Sequence, residues 1–459
     1  MPELETTSTR SIRLGPLALL GVLFVLLVGP MVALEARRTT VPAAFQAGWP
    51  SELMDQDHYH WRVIVTMDEQ WPRPDVVEYR SATSPGYHLV QTAVYRMTGS
   101  RAGILIANAL FGFALIAALY VTIAPFAGSW PAGAMVLPLM LSPYTLGGSI
   151  WMTTDNLALT FVVLAIGGAL LRPFSRTRAV RTGVYAALGV LVRQVHLWTA
   201  APIAWSALQR SPLASLIPGP LRMQDDAPRT WSNLFIGACA ALMPVVLLGV
   251  FAVLWGGLLP IDDEIRAKHG AGWNPAAFAF GLSVVCVLGT AYIPLLWPTM
   301  RSLRPADPVL WGAAMIGLIA ALAAPTSHVK RFRDNGWIWS VVERVPEVAD
   351  RTVLFLLLAP VGAVLLVLLY RAARDAGRGP IALGVLLTFL GWLCAQSFNA
   401  TAWQRYFEQP VLIMLAMLGA LFVGGGRTRL AYAGLIALGA AELLLSGITM
   451  YREFLGKVL

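Results

Sequence analysis

Carboxylates that directly follow the first apolar segment are the first residues of this sequence that could do chemistry. Asp55 and Asp57 stand in the stretch MDQDHYH, in a loop that also holds three of the six histidines of the chain. Either carboxylate could take a proton from the hydroxyl group of an acceptor molecule. Asp57 is equally suited to cap a helix that begins at His58, and spacing alone leaves both roles open.

A further carboxylate, Asp155 in the stretch WMTTDNLAL, stands at the outer mouth of the fourth apolar segment. By itself it is most simply explained as a helix N-cap. Because Asp155 and the first loop are expected on the same face of the molecule, the two regions can meet. A site shared between them is therefore a second hypothesis for Asp155.

Arginines form the second group of candidate functional residues. Arg80, close to Glu78 in EYRSATSPGYHL, could bind a phosphate through the forked hydrogen bonds of a guanidinium, or it could be an ordinary surface residue. Arg193 lies inside the apolar stretch LVRQVHLW. A charge there is costly, and it indicates either function or a structural ion pair.

More positive charge gathers in three later loops, with the sequences IDDEIRAKHGAGW, TSHVKRFRDNGW and WQRYFEQP. Loops on the outer side of a membrane are normally poor in Lys and Arg. This excess therefore indicates an anionic partner, such as a lipid-linked phosphate. The cationic and histidine residues of these loops are Arg266, Lys268, His269, His328, Lys330, Arg331, Arg333 and Arg405.

The sequence carries no motif for a metal centre or for soluble nucleotide chemistry. The three cysteines fall inside apolar segments and have no metal-ligand spacing. A phosphate-cradling glycine loop, HExxH and GxSxG are all absent from the sequence. We therefore predict no metal site from the residues themselves.

Composition shows which elements must position these residues. Of the whole chain, 57% of residues are hydrophobic and 13% are charged, whereas soluble domains carry about 25% charged residues. These values indicate a membrane protein. The net charge of +9 comes from arginines in short loops, as the positive-inside rule produces, and is not the footprint of a nucleic-acid partner.

Twelve apolar segments predict an all-α polytopic protein with about 12–13 transmembrane helices. We expect a single domain over residues 1–459 and a first helix that is retained rather than cleaved as a signal peptide. The segments are 14–34, 102–124, 131–150, 156–171, 183–208, 231–256, 275–297, 308–325, 353–370, 380–398, 409–423 and 430–450.

Arginine placement puts the N-terminus inside and the long first loop, residues 35–101, outside. Two apolar helical faces in this loop predict short helices that lie in the membrane surface. One face is formed by Tyr59, Val63 and Met67, and the other by Leu89, Ala93, Val94 and Met97.

The orientation of the neighbouring segments requires segment 183–208 to enter and leave the membrane on the same side. The segment is too short for the two full crossings that this would need. It is therefore either a broken or re-entrant hairpin near Arg193 and Pro202, or it is followed by a loop, residues 209–230, that lies outside.

In their order along the chain, these motifs resemble those of the membrane glycosyltransferases of the GT-C fold. The closest resemblance is to the eukaryotic family that adds the terminal alpha-1,2-linked glucose to the dolichol-linked oligosaccharide. Three positions depart from that family: Gln56 replaces an acid, Ile261 replaces a glycine and Gln404 replaces a glutamate. The matching stretches are Gln56–His60, Glu78–Tyr87, Thr153–Asp155, Arg193–Gln194, Gly256–Asp262 and Gln404–Tyr406.

The resemblance implies a transferase that takes a hexose, with glucose favoured, from a polyprenyl phosphate and inverts the anomeric carbon in one displacement. It would act on the outer face of a bacterial plasma membrane, or in the lumen of a eukaryotic compartment. The implied partners are a lipid-linked donor, a glycan or lipid-linked acceptor and membrane lipid, with no nucleic acid.

The resemblance also implies roles for single residues. Asp57 would be the base, with Asp55 as its rival, and Asp155 would orient the acceptor or a divalent cation. The implied ligands of the donor phosphate are Arg80, Arg193, Arg266, Lys268, Arg331 and Arg405. The implied acceptor ligands are Glu78, His60, Asp262 and His269.

A transporter or flippase of a lipid-linked or anionic substrate is the competing hypothesis. Such proteins often contain inverted repeats and ionisable groups in the middle of broken helices. This sequence has no visible repeat, and its ionisable groups concentrate in outer loops, with Arg193 as the main exception.

Overall fold

The computed structural model describes residues 12–37, 55–223, 228–262, 266, 273–304, 306–323, 325, 336–399, 402–423 and 429–454. These residues form helices joined by turns and loops, the longest helix-free one described being residues 70–85. The exception is one small hairpin, in which strand β1 (Glu347–Val348) pairs antiparallel with strand β2 (Arg351–Thr352). The predicted all-α fold is therefore confirmed.

The helices of the first half begin with a membrane-length helix and continue through the first loop. They are α1 (Gly15–Arg37), a π-helix (Asp55–Trp61), α2 (Arg62–Glu69), α3 (Gly86–Thr98), α4 (Arg101–Ala127), α5 (Ser129–Leu141), α6 (Pro143–Ile150), α7 (Asp155–Leu170), α8 (Arg176–Val192), a 3-10 helix (Gln194–Thr199), α9 (Ala200–Gln209) and two short 3-10 helices (Pro212–Leu216 and Gly219–Leu221).

The second half follows the same plan, with one short helix before the hairpin. Its helices are α10 (Trp231–Trp255), α11 (Ala276–Gly289), a 3-10 helix (Thr290–Tyr292), α12 (Ile293–Arg301), α13 (Pro308–Ala323), α14 (Trp337–Val342), α15 (Val353–Asp375), α16 (Gly379–Gln396), α17 (Arg405–Phe422), a 3-10 helix (Arg429–Tyr432) and α18 (Ala433–Phe454).

Eight helices in the described ranges are long and apolar enough to cross a membrane, when α11 and α12 are counted as one span, Ala276–Arg301, joined by the 3-10 turn Thr290–Tyr292. The bent pair α6 and α7, which meet at 119°, raises the number to nine when it is counted as one span. Other predicted segments form helices that are too short to cross a membrane, which explains why the described part of the structure has fewer membrane-length helices than the twelve predicted segments. Segment 131–150, for example, breaks at Ser142 because Pro143 has no N–H for the preceding turn, and the Ser142 hydroxyl accepts the Tyr144 N–H instead.

Segment 183–208 is broken, as one of the two predictions for it required. Helix α8 ends at Val192, and Arg193 has extended backbone angles, with φ −147° and ψ 115°. The 3-10 helix then leads into α9. The break leaves Arg193 at the end of a helix rather than within one.

Helix α17 lies at the centre of the bundle. Every one of its residues after Arg405 is buried, and it packs against α4, α5, α11, α15 and α16. Because neighbours surround this helix on all sides, its first turn has a fixed position. The residues immediately before and at its start, Trp403 to Tyr406, are therefore held rigidly at one end of the bundle.

The two helices predicted in the first loop are present. On α2, Val63 and Met67 are buried, and they pack in a cluster with Phe251 and Trp255 of α10 rather than facing lipid. On α3 the arrangement is reversed: the buried side carries polar residues, and Met97 is 77% exposed. Of the apolar face predicted for α3, only Met97 is exposed as a helix in a membrane surface would require, whereas Leu89 and Val94 are partly buried against the core.

On the buried polar side of α3, the Gln91 side-chain N–H and the Thr92 hydroxyl each donate a hydrogen bond. Gln91 donates to Asn108 Oδ1 at 2.7 Å, and Thr92 donates to the Ile64 carbonyl at 3.3 Å. These bonds satisfy groups that would otherwise be costly to bury. They fix α3 against α2 and α4, and with it the loop that precedes α3.

We expect Gly362→Ala to destabilise the bundle by about 1–3 kcal/mol, because overpacking of a tight contact forces backbone shifts. A Cβ at Gly362 in α15 would lie 1.9 Å from the Leu282 carbonyl oxygen of α11. The control is Gly312→Ala in α13, where a Cβ meets nothing within 4 Å. Thermal unfolding in detergent compares the two, and equal midpoints would contradict the close approach of these helices.

Candidate active-site cleft

A cleft opens where the first loop, the start of α7, the end of α8 and the start of α17 converge. It encloses about 490 Å³, part of it open to solvent. Four of the residues singled out from the sequence line it, namely His60, Asp155, Arg193 and Arg405. The other lining residues are Tyr59, Ser81, Ala82, Thr83, Thr153, Thr154, Trp403 and Tyr406.

Asp155 and Arg193 form an ion pair on the wall of the cleft. The pair is about one-eighth exposed, with 13% of the Asp155 side chain and 12% of the Arg193 side chain accessible. The guanidinium carbon of Arg193 also lies 4.6 Å from the centre of the Tyr406 ring. The N-cap of helix α7 is Thr154, whose side chain makes no capping hydrogen bond. The hypothesis that Asp155 is the N-cap is therefore wrong, and its carboxylate forms the ion pair instead.

Arg405 brings a second guanidinium to the cleft from the first turn of α17. Its guanidinium carbon lies 4.3 Å from the Trp403 ring centre and 5.1 Å from the Tyr406 ring centre. Its Nη2 donates to the Tyr406 hydroxyl at 3.1 Å. Aromatic faces attract a cation without neutralising it. Tyr406 therefore stands between two arginines and orients both.

Gln194 explains why the loop at residues 81–84 closes one side of the cleft. Its side-chain N–H donates to the Ala82 carbonyl at 2.7 Å, and its Oε1 accepts the backbone N–H of Ser84 at 3.0 Å. Gln194 is the residue after Arg193. The interruption of the helix after Val192 therefore directs the Arg193 side chain to the ion pair and the Gln194 side chain to the loop. The sequence motif pairs these two residues but does not reveal this clamp.

His60 lines the cleft, and His88 lies directly beside it. His60 Nδ1 and His88 Nε2 are 2.9 Å apart, and their rings stack with centres 5.1 Å apart. Burial, and then the charges of Arg405 and Arg193, lower the pKa of His60 to about 3. Burial also holds the pKa of His88 well below its usual range. Both imidazoles are therefore neutral at neutral pH.

Asp57 lies in a different cluster of charged residues, beside the cleft rather than on its wall. Its carboxylate accepts a hydrogen bond from Arg101 Nη2 at 2.7 Å, and the same nitrogen lies 3.2 Å from Glu35 Oε1. Glu35 also accepts from Gln56 at 2.8 Å, while Gln56 Oε1 accepts the Met152 N–H at 2.8 Å. These contacts tie the π-helix to α1, α4 and the chain before α7.

The position of Asp57 within the π-helix excludes the proposed capping role. The helix begins at Asp55, two residues earlier, so Asp57 is not its N-cap. The side chain of Asp55 lies outside the part of the chain that the structure describes. Sequence reasoning missed Glu35 and Arg101, because charged residues at the ends of apolar segments are typical of helix flanks and carry no further signal.

The remaining predicted site residues lie away from the cleft wall or outside the described residues. Arg80 pairs with Asp262 at 3.4 Å on the surface, and Glu78 is exposed. Arg266 donates to the carbonyls of Pro260 and Leu259 at 3.1 and 3.3 Å. Their roles stay predictions. The predicted residues outside the described ranges are Lys268, His269 and Arg331.

The described residues do not form the ligand set of a divalent cation. Among them no group of three or more His, Cys, Asp or Glu residues could hold a metal ion. Asp155 is paired with Arg193, and Asp57 with Arg101. Hard cations such as Mg²⁺ need several oxygen ligands around one point, and the guanidinium groups already occupy that position beside each carboxylate.

Comparison with solved structures identifies the fold. The chain is similar to the archaeal oligosaccharyltransferase AglB from Archaeoglobus fulgidus, in complex with an inhibitory peptide and a dolichol-phosphate, with a TM-score of 0.50 and 14% sequence identity. The alignment covers 95% of this chain and 55% of AglB, so this chain spans a little over half of that protein. The likeness confirms the predicted GT-C fold.

A second similar structure is ArnT from Cupriavidus metallidurans bound to undecaprenyl phosphate. It has a TM-score of 0.39 and 16% identity, and the alignment covers 88% of this chain and 77% of ArnT. No protein-family model matches the sequence. The search of curated proteins gave no match either.

Burial of a neutral His60 should make the protein sensitive to acid. Its pKa is about 3 in the folded protein and 6.5 ordinarily. Between these values only the unfolded chain binds the proton, so the free energy of unfolding falls as the pH drops below about 6.5. The loss at pH 5 is about 2 kcal/mol for one histidine.

We therefore expect His60→Gln to lose less stability than the wild type when thermal unfolding in detergent is followed from about pH 7.5 to about pH 5. Parallel pH dependence of the two proteins would show that His60 is not held neutral in the folded state.

Proposed function

We propose that this chain is a glycosyltransferase that moves a hexose, with glucose favoured, from a polyprenyl-phosphate donor to the hydroxyl of a glycan or lipid-linked acceptor. The observation that carries this proposal is the cleft in which Arg193 and Arg405 flank Tyr406 beside the carboxylate of Asp155. It is a polar, net positive site at the start of the membrane-length helix α17, which suits a phosphate anchored in the bilayer by its lipid.

Arg193 and Arg405 are the proposed ligands of the donor phosphate. The phosphate is also the leaving group, so negative charge builds on it as the bond to the sugar breaks. Fixed cations that meet this developing charge accelerate the reaction, because they stabilise the transition state more than the ground state. Arg80, Arg266, Lys268 and Arg331 are proposed to add to this positive surface from the loops.

The proposed reaction is one displacement at the anomeric carbon. The acceptor oxygen forms the new bond to this carbon, the bond to the phosphate oxygen breaks, and the polyprenyl phosphate departs with the electron pair. The acceptor proton passes to a carboxylate, for which Asp57 is the first candidate and Asp55 the second. Inversion follows from a single displacement.

Asp155 is proposed to orient the acceptor from the wall of the cleft. Further acceptor contacts are proposed for His60 in the cleft and for Glu78, Asp262 and His269 in the loops. Because His60 is neutral, it can accept or donate a hydrogen bond to a sugar hydroxyl without adding charge. The neutral imidazole therefore suits an uncharged acceptor better than a second phosphate.

The eight membrane-length helices make this a multi-pass integral membrane protein. We propose that the chain is one GT-C domain over residues 1–459, and that its first loop, residues 35–101, lies on the outer face of a bacterial plasma membrane with the cleft. The arginine-rich short loops, which include Arg371 and Arg374 at the end of α15, then lie inside.

Sugar transfer in membranes of an expressing strain tests this function. Radiolabelled polyprenyl-phosphate hexoses are supplied with the native lipid extract as acceptor source. We expect transfer by the wild type and a loss of about 10²–10⁴-fold when the base is replaced, in Asp57→Asn or in Asp55→Asn. Asp155→Asn is assayed in parallel, at matched protein levels.

The matched control is Asp375→Asn, because this carboxylate is 57% exposed and lies at the end of α15. It should transfer sugar as the wild type does. Equal transfer in all variants would remove these aspartates from the chemistry. If no donor hexose is transferred by the wild type, the proposed function is wrong and transport of a lipid-linked substrate becomes the stronger hypothesis.

The two cleft arginines should affect the kinetics differently. Arg405→Gln should raise the KM for the donor about ten- to a hundredfold, because a charge-assisted hydrogen bond contributes roughly 1.5–3 kcal/mol. Arg193→Gln should also lower kcat, because it leaves Asp155 without its cation. The control is Arg374→Gln, which is 54% exposed at the far end of α15. Transfer rates measured against donor concentration would contradict this assignment if neither cleft variant changed.

A further inference from the structure

Glu408, three residues after Arg405, is a fully buried carboxyl group in the first turn of α17. Each of its two oxygens receives a hydrogen bond. The Ser142 hydroxyl donates to Oε1 at 2.6 Å, and the Gln404 side-chain N–H donates to Oε2 at 2.8 Å. The cluster lies outside the cleft, yet Gln404 is the residue immediately before Arg405.

The directions of these two hydrogen bonds are fixed by the other contacts of the donors. Gln404 Oε1 accepts the Ile338 backbone N–H at 3.0 Å, so its amide nitrogen must face Glu408. The Ser142 oxygen accepts the Tyr144 backbone N–H at 3.3 Å, and its own proton is then available for Glu408 Oε1 at 2.6 Å. Both oxygens of Glu408 therefore act as acceptors, which favours the ionised carboxylate over the protonated acid.

Glu442, on helix α18, lies within hydrogen-bonding reach of Glu408. Its side chain is 1% exposed, and its Oε2 has no hydrogen-bond partner among the described residues. Two carboxylates in contact inside an apolar bundle cannot both be charged, because repulsion and desolvation oppose it. Since Glu408 accepts on both oxygens, the proton that the pair shares belongs to Glu442.

We propose that Glu442 is a protonated positioning residue that donates to the Glu408 carboxylate and thereby holds Arg405 at the cleft. This inference rests on the proposed function for the role of Arg405 as a ligand of the donor phosphate. Helix α18 contributes no residue to the wall of the cleft. The proposal nevertheless gives this helix a part in shaping the donor site. It also assigns distinct charge states to two neighbouring glutamates.

The path from the pair to the cleft is short. Glu408 orients Gln404, and Gln404 in turn holds the first turn of α14 by accepting the Ile338 N–H. The packing there is tight, because a Cβ at Gly336 would lie 2.4 Å from Gln404 Oε1. A shift of Gln404 therefore moves Arg405 directly, and misplacement of a binding group by about 1 Å can cost a hundredfold in rate.

Matched amide substitutions separate the two glutamates. Glu442→Gln keeps a donor toward Glu408, so transfer should stay within about threefold of the wild type. Glu408→Gln turns an N–H toward one of the two donors, and kcat/KM for the donor should fall about tenfold or more, mainly through KM. Glu442→Ala removes the donor and should resemble Glu408→Gln.

Infrared spectroscopy of the detergent-purified protein reads the charge states without any transfer assay. The C=O band of a protonated carboxyl should be present in the wild type and in Glu408→Gln and weaker in Glu442→Gln, with the exposed Asp375→Asn as control. The proposal is overturned if the band weakens in Glu408→Gln instead, or if both amide variants keep the donor KM of the wild type. If the wild type transfers no sugar, the proposed function fails, whereas the spectroscopic assignment is tested independently.

Discussion

The pairing of Arg193 with Asp155 is the interaction on which the cleft end of this molecule depends. A guanidinium does not give up its proton, so inside an apolar bundle it must meet an anion or an aromatic face. Arg193 meets both, in Asp155 and Tyr406. Helix α8 ends at Val192, just before Arg193. The same interruption of the helix turns Gln194 toward the loop at residues 81–84. One local break therefore brings three separate parts of the chain to one cleft.

Two departures from the family that the sequence resembles have a common physical reason. Gln56 donates to Glu35 and accepts from the Met152 N–H, and Gln404 donates to Glu408 and accepts from the Ile338 N–H. A carboxylate in either position could only accept, and it would face a second carboxylate without a proton between them. At both positions the amide is the group that satisfies a buried donor and a buried acceptor together.

The sequence was a good guide to features that depend on composition and on single costly residues. The apolar segments predict the membrane helices. Arg193 could be recognised as a candidate functional residue because a charge is rare in such a segment. The break at Ser142 was not foreseen, since proline is tolerated within many membrane helices, including Pro410 of α17. Contacts such as Arg101 with Asp57 join residues far apart in sequence. Such contacts depend on how the helices pack, and no local sequence pattern predicts them.

The charges of the cleft act on one another as well as on a ligand. Its lining carries two guanidiniums and one carboxylate, and the positive potential of Arg405 and Arg193 contributes to the low pKa of His60. An anion held between the arginines would offset that potential and raise the pKa of His60 toward its ordinary range. Occupation of the cleft by an anion and the proton affinity of His60 are thus linked, and by reciprocity each favours the other. The imidazole that contacts the acceptor in the proposed reaction would then respond to the donor phosphate, through charge alone and without movement of the backbone.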